Sequence, residues 1–253
     1  MIARALVVVL GVAGCSHEAT EARVVPVESK DRPARAPTAR LELKVVDSGD
    51  ALSEKVYARA VEDIRKDNPG ASDDSILDDC LTTAAGVGVS LDFWMHDPTG
   101  TRTTDWYLRG RDRAALEAYL AVFPPGPDHE WGYELREERC GRERQPQPMW
   151  RSYYLFREAE LTGASVAATE PQWNEPLNRP EVVVTFDRDG ARRFARLTHE
   201  IAGKKMAIVI DGKVVSAPVI EEAISGGRMW ITLLDPTQLE MDARALADAL
   251  APR

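Results

Sequence analysis

This 253-residue chain has little long-range apolar sequence: its one long apolar run, Ala5 to Ala13, falls far short of the roughly 20 residues that a helix needs to cross a bilayer. A channel or pump built on membrane-spanning helices is therefore not expected. Basic residues are also in deficit, with 32 Lys and Arg against 41 Asp and Glu and a net charge of -9. Such a surface is poorly suited to neutralising nucleic-acid phosphates. Cysteine is limited to Cys15, Cys80 and Cys140, with no Cys-x-x-Cys pair, which argues against a thioredoxin-type redox centre or a zinc ribbon. The four histidines are scattered as His17, His96, His129 and His199. His199-Glu200 lacks the second histidine four residues after the first that would place two zinc ligands on one helix face.

The remaining signals for chemistry are equally bare. Ser216 lacks a Gly-x-Ser-x-Gly elbow, and Gly203-Lys204 lacks the preceding glycine that would cradle phosphates. Gly86 and Gly88 share only two glycines with a dinucleotide loop. Asp187 and Asp189 suggest part of a calcium loop but have neither a third ligand nor a bidentate Glu, so a turn followed by a helix N-cap is the favoured reading. No catalytic residue, metal site or cofactor is expected. A hydrolase stays as a third reading, tied to a pocket that would bring a Ser or carboxylate to His199.

The composition, 44% hydrophobic and 29% charged, is that of a folded protein. Met1 to Cys15, MIARALVVVLGVAGC, has a positive charge at Arg4, an apolar core and small residues before the cysteine. Val12-Ala13-Gly14-Cys15 resembles the lipobox of bacterial lipoproteins, which implies a signal peptide over 1–14 and acyl chains on Cys15. A plain secretory signal or a short buried strand is the alternative. Ser16 after that cysteine favours the outer membrane over the inner one in that class. Residues 15–40 carry Pro26, Pro33 and Pro37 without apolar periodicity and read as a flexible tether. In an oxidising compartment, Cys80 and Cys140 either pair, closing a loop of about 60 residues, or stay as two buried thiols.

Leu41, Leu43 and Val45 alternate with polar residues as in a strand, and Leu52, Val56, Ala60 and Ile64 recur at helical steps until Asn68-Pro69-Gly70. A short helix over Asp73 to Ala85, strands at Val87 to Met95 and Thr103 to Leu108, a helix from Asp112 and strands at Glu130 to Glu137 and Ser152 to Phe156 follow. This order predicts an α+β fold, with a ferredoxin-like unit over 41–157 that the resemblance described below makes the counterpart of a base subdomain. A smaller α+β unit over 158–253 includes a strand at Glu181 to Phe186 and a helix bearing Phe194, Leu197 and Ile201, which Gly203 closes. Asp211-Gly212 predicts a two-residue hairpin between Met206 to Ile210 and Lys213 to Ser216. A strand at Arg228 to Leu233 and a helix opened by the capping box Thr237 to Glu240 complete it.

These C-terminal segments resemble the first periplasmic domain of the SecD family of protein-export membrane proteins, in its head subdomain. The resemblance is carried by Leu161-Thr162-Gly163, Val182 to Phe186 with Gly190-Ala191 and Phe194, Leu197-Thr198, Gly203-Lys204, the run Met206 to Ile220, and Ile224-Ser225-Gly226-Gly227. Ile231-Thr232 departs from the family pattern, since Leu233 stands where a second glycine is usual. The chain also ends at Arg253 where the family continues into transmembrane helices. The resemblance implies a lipid-anchored, periplasm-facing, non-enzymatic accessory that contacts exported or unfolded polypeptide. An assembly or scaffold lipoprotein that binds one folded partner is the alternative. Among the six tryptophans, Trp173, between Pro171 and Pro176, and Trp230 are the candidate polypeptide contacts, together with the Asp211-Gly212 turn.

Overall fold

The computed structural model describes residues 39–95, 102–141, 145–176, 178–232 and 243–252. The leader, Cys15, His17, His96, Leu177 and the Thr237 capping box lie outside the described residues. The fold is α+β, and the described residues form three antiparallel sheets. Strand β1 (Leu41–Val45) leads into helix α1 (Ala51–Asp67), where the Asp50 side chain accepts from Leu52 N at 2.7 Å and caps the first turn. Val56, Ala60 and Ile64, one helical turn apart, are the buried residues of α1.

Helix α2 spans only Asp73–Asp78, shorter than the sequence predicts. It stops because Cys80 takes a left-handed φ of 56°, which an α-helix cannot continue through, so Cys80 and Leu81 lie outside the helix. Strands β2 (Val87–Met95) and β3 (Arg102–Gly110) form a hairpin, helix α3 (Arg113–Leu120) crosses over, and β4 (His129–Glu138) and β5 (Gln147–Phe156) form a second hairpin. Together they make sheet II, in the order β2-β3-β5-β4. Its Val87, Val89 and Leu108 pack under α1, α2 and α3 in one core with Ile64, Ile76, Leu116 and Leu120.

Strand β6 (Leu161–Thr162), β7 (Val166–Asn174) and β8 (Arg179–Phe186) precede helix α4 (Arg188–Glu200). The Asp187 carboxylate accepts from Gly190 N at 2.7 Å, which makes Asp187 the N-cap of this helix. Gly203 closes the segment with φ of 84°. Strands β9 (Met206–Ile210) and β10 (Lys213–Ser216) flank Asp211 and Gly212, both at positive φ (51° and 76°), as the two-residue turn requires. Strand β11 (Arg228–Thr232) and helix α5 (Ala243–Leu250) complete the described chain.

Sheet III has the order β11-β8-β7, and sheet I the order β10-β9-β1-β6. The entry strand β1, which the sequence groups with residues up to 157, thus pairs with β9 from Leu41↔Ile210 to Val45↔Met206. Its Leu41, Leu43 and Val45 enter the largest core, shared with Val182, Val184 and Phe186 of β8, Phe194 and Leu197 of α4, and Leu246 and Leu250 of α5. The opposite face of sheet I meets the helix-free face of sheet II. At Gly132 of β4 the packing is tight: a Cβ there would fall 2.9 Å from Val214 of β10 across the interface and 2.5 Å from Leu155 of the neighbouring β5.

Candidate functional site

Trp173 lies near the end of edge strand β7, opposite Pro180, and is 51% exposed. Pro180 has no N–H, so this pair and the 171↔182 and 169↔184 pairs are the non-hydrogen-bonded ones, and their residues direct backbone groups away from β8. Pro171 therefore leaves the free edge without a donor at its middle position. What β7 offers at this point is an aromatic ring on a strand edge that resists pairing. Trp230 of β11 pairs with Val183, an odd number of residues from Pro180, so Trp173 and Trp230 stand on opposite faces of sheet III.

Asp211 and Gly212 sit in sheet I, where the Asp211 carboxylate accepts from Arg40 N at 2.8 Å and Asp211 N donates to Arg40 O at 3.0 Å. These bonds fix the turn against the start of β1. The four polypeptide-contact candidates are therefore spread over two sheets: Trp173, Asp211 and Gly212 are exposed, Trp230 is half-buried, and Trp173 is the exposed aromatic among them. Cys80 and Cys140 are brought together as a disulfide, with Cα atoms 5.3 Å apart. They line a surface cleft of about 470 Å³ with Asp79, Thr82 and Arg111.

Sequence reasoning missed a buried ionic layer between sheets I and II. Lys205, on the turn before β9, places Nζ 2.8 Å from Asp92 Oδ2 and 2.6 Å from Asp105 Oδ2. Arg151 of β5 reaches Asp92 at 3.2 Å and also pairs with Glu138. Tyr107 donates to Asp92 at 3.0 Å, and Tyr153 to Glu134 at 2.5 Å. At the other end Lys44 of β1 donates to Glu130 of β4 at 2.6 Å. The Lys205 ammonium also lies over the rings of Trp94 and Tyr107 at 5.2 and 5.6 Å.

Burial alone would raise the Asp92 carboxyl, but the neighbouring Arg151 and Lys205 charges outweigh it and hold the group down at about 2. Glu134 behaves in the opposite sense, because its complete burial exceeds the help from Arg136 and Arg151 and raises it. The signal available in the sequence was only the unusual polarity of one face of β2, β3, β4 and β5. No local pattern links Lys205 to Asp92, 113 residues away.

The other residues weighed for chemistry have structural neighbours. Asp189 pairs with Arg192, and His199 is exposed on α4. His129 forms a pair with Asp47 at 3.2 Å and stacks on Tyr154, bracing the end of the β4–β5 hairpin. Among the described residues, no group of three or more His, Cys, Asp or Glu is placed to hold a metal ion. No helix among the described residues is long and apolar enough to cross a membrane.

Residues 137–250 match the family model described as SecDF, P1 head subdomain. The protein translocase subunit SecD of Rhodothermus marinus is 29% identical over 252 residues, covering 89% of this chain and 39% of the relative. SecD of Magnetococcus marinus is 42% identical over 78 residues, and SecDF of Thermus thermophilus 44% over 71, which are 31% and 28% of this chain and 15% and 10% of those relatives. The chain thus spans well under half the length of these relatives. A solved structure of SecDF, described as a membrane component that enhances protein export, matches 83% of this chain and 92% of that chain, with 22% identity and a TM-score of 0.34. Family model and curated relatives converge: the chain is similar to SecD and SecDF translocase subunits, and its residues 137–250 match their P1 head subdomain.

Proposed function

We propose that this protein is a non-enzymatic accessory of protein export that contacts exported or unfolded polypeptide in the periplasm. The match of residues 137–250 to the SecDF P1 head carries this reading, supported by similarity to SecD over 89% of the chain. In the proposal, residues 41–157 serve as the base and 158–253 as the head, and Cys15 carries the acyl chains that hold the protein to the envelope, at the outer membrane. Client contact is assigned to Trp173, a large exposed ring on an edge that Pro171 protects from strand pairing. The ring, rather than backbone pairing, supplies the apolar grip in this reading.

The test is titration of the purified chain against a labelled, unfolded secretory protein. Trp173→Ala is expected to weaken binding about tenfold or more, the scale of an aromatic anchor. Unchanged affinity would remove the assignment of Trp173. Binding restricted to a single folded envelope protein would favour the scaffold alternative. Intact mass of the envelope-extracted protein checks the anchor, with Cys15→Ser expected to lose the acyl mass and shift the protein to the soluble fraction.

A further inference from the structure

We propose that β4 is a self-pairing edge, through which two copies of this chain join sheet II into one continuous antiparallel sheet. Three of the other edges are blunted: β6 has two residues, β10 has four and an irregular register, and β7 carries Pro171. Strand β4 has ten residues, no proline and an unbroken register with β5. Its free side follows from two observations. Pro148 has no N–H, so the 137↔148 pair is non-hydrogen-bonded, and Arg157 N donates to Asp128 O at 2.7 Å, which turns even-numbered positions toward β5. The backbone groups of Trp131, Tyr133 and Leu135 therefore point outward, away from β5, whereas His129 already bonds to Gly126 and Arg157.

A second copy is the occupant because the strand is complementary to itself in one register. Two-fold pairing centred on Tyr133 sets Trp131 opposite Leu135, Tyr133 opposite Tyr133 and Glu130 opposite Arg136. Each of the three outward pairs exchanges two backbone hydrogen bonds. The aromatic and leucine side chains meet on the face where Arg113 lies over Tyr133 at 4.9 Å. On the other face the buried Glu134 meets Gly132, which has no side chain to oppose it. Sliding the pairing to the next compatible registers sets Glu130 opposite Glu134 in one direction and Glu134 opposite Glu134 in the other, and like charges directly opposite are destabilising. Opposite-charge complementarity thus selects both the partner and the register.

Sedimentation equilibrium of the full chain is expected to show a reversible dimer. Arg136→Glu should weaken it about tenfold or more, and Glu130→Arg combined with Arg136→Glu should restore it. In a Cys15→Ser background, Tyr133→Cys should crosslink to itself across the two-fold, where hydrogen-bonded Cα atoms stand about 5.5 Å apart. This readout does not depend on the folding of the charge variants. A monomer at all concentrations with no self-crosslink at position 133 would overturn the proposal, as would crosslinking at that position to client polypeptide alone. Because the test uses no client, its failure leaves the export reading standing, and loss of client binding leaves the dimer standing.

Discussion

Asp92 is the residue on which the contact between sheets I and II turns. It receives Lys205, Arg151 and Tyr107, and removing its charge would leave each buried cation a single carboxylate, Asp105 for Lys205 and Glu138 for Arg151. Asp92→Asn is expected to lower unfolding free energy at pH 7 by about 1.5–3 kcal/mol, the scale of a lost hydrogen bond to a charged group, as read from denaturant titration. The sign of the pH dependence follows from the lowered carboxyl. Its folded value, about 2, lies below the unfolded 3.8, so the stabilisation is present above about pH 4 and is lost as pH falls toward 2. Asp92→Asn should flatten that acid limb of the stability profile, and a wild-type limb in the variant would refute the assignment.

Gly190 gives a second expectation for a single residue. A Cβ there would lie 2.7 Å from Ser165 Cβ and 3.0 Å from Ser165 O, where α4 presses on the 163–165 turn. Gly190→Ala should cost about 1–3 kcal/mol through overpacking, lowering the thermal midpoint, with part recovered by Ser165→Gly. Residues with local jobs were legible in the sequence: Asp187 caps the helix beginning one residue later, and Asp211-Gly212 makes a turn between adjacent strands. Lys205 was not legible, because its meaning comes from carboxylates that only the tertiary fold brings to it.

Among the elements, helices and buried strands were readable because their apolar periods survive, as in α1 and β8. Strand β7 was missed. Its sequence VAATEPQWN contains a proline and few β-formers, and it is held by pairing with β8 and by α5, where Thr169 donates to Ala247 O at 2.7 Å. Helix α2 was read too long because its apolar spacing continues past the point where Cys80 turns left-handed. Gly141 N also donates to Asp78 O at 2.8 Å, so the end of α2 and the start of the β4–β5 connection are joined by a hydrogen bond beside the two sulfurs. Cys140→Ser is expected to lower stability by about 4 kcal/mol on the chain-entropy account of a loop of roughly 60 residues. Hydrogen exchange should rise first over Asp73 to Val87, and an unchanged unfolding midpoint after reduction would contradict the cross-link's role.

For the whole molecule, the α+β class could be read from the order of elements, whereas the partnership of β1 with β9 could not, since alternation shows that a strand exists but not its neighbour. That pairing matters to function because it roots the chain's entry in the same core as the head-like strands, and the ionic layer then joins this core to sheet II. A pull applied at residue 39 would thus act directly on the head-like core. Contact with exported polypeptide is tested at its source by photocrosslinking in living cells from an amino-acid crosslinker at position 173, with captured proteins identified by mass spectrometry. Many different secretory polypeptides caught in extended form are expected, whereas capture of none, with the protein folded and in the envelope, would contradict the contact role.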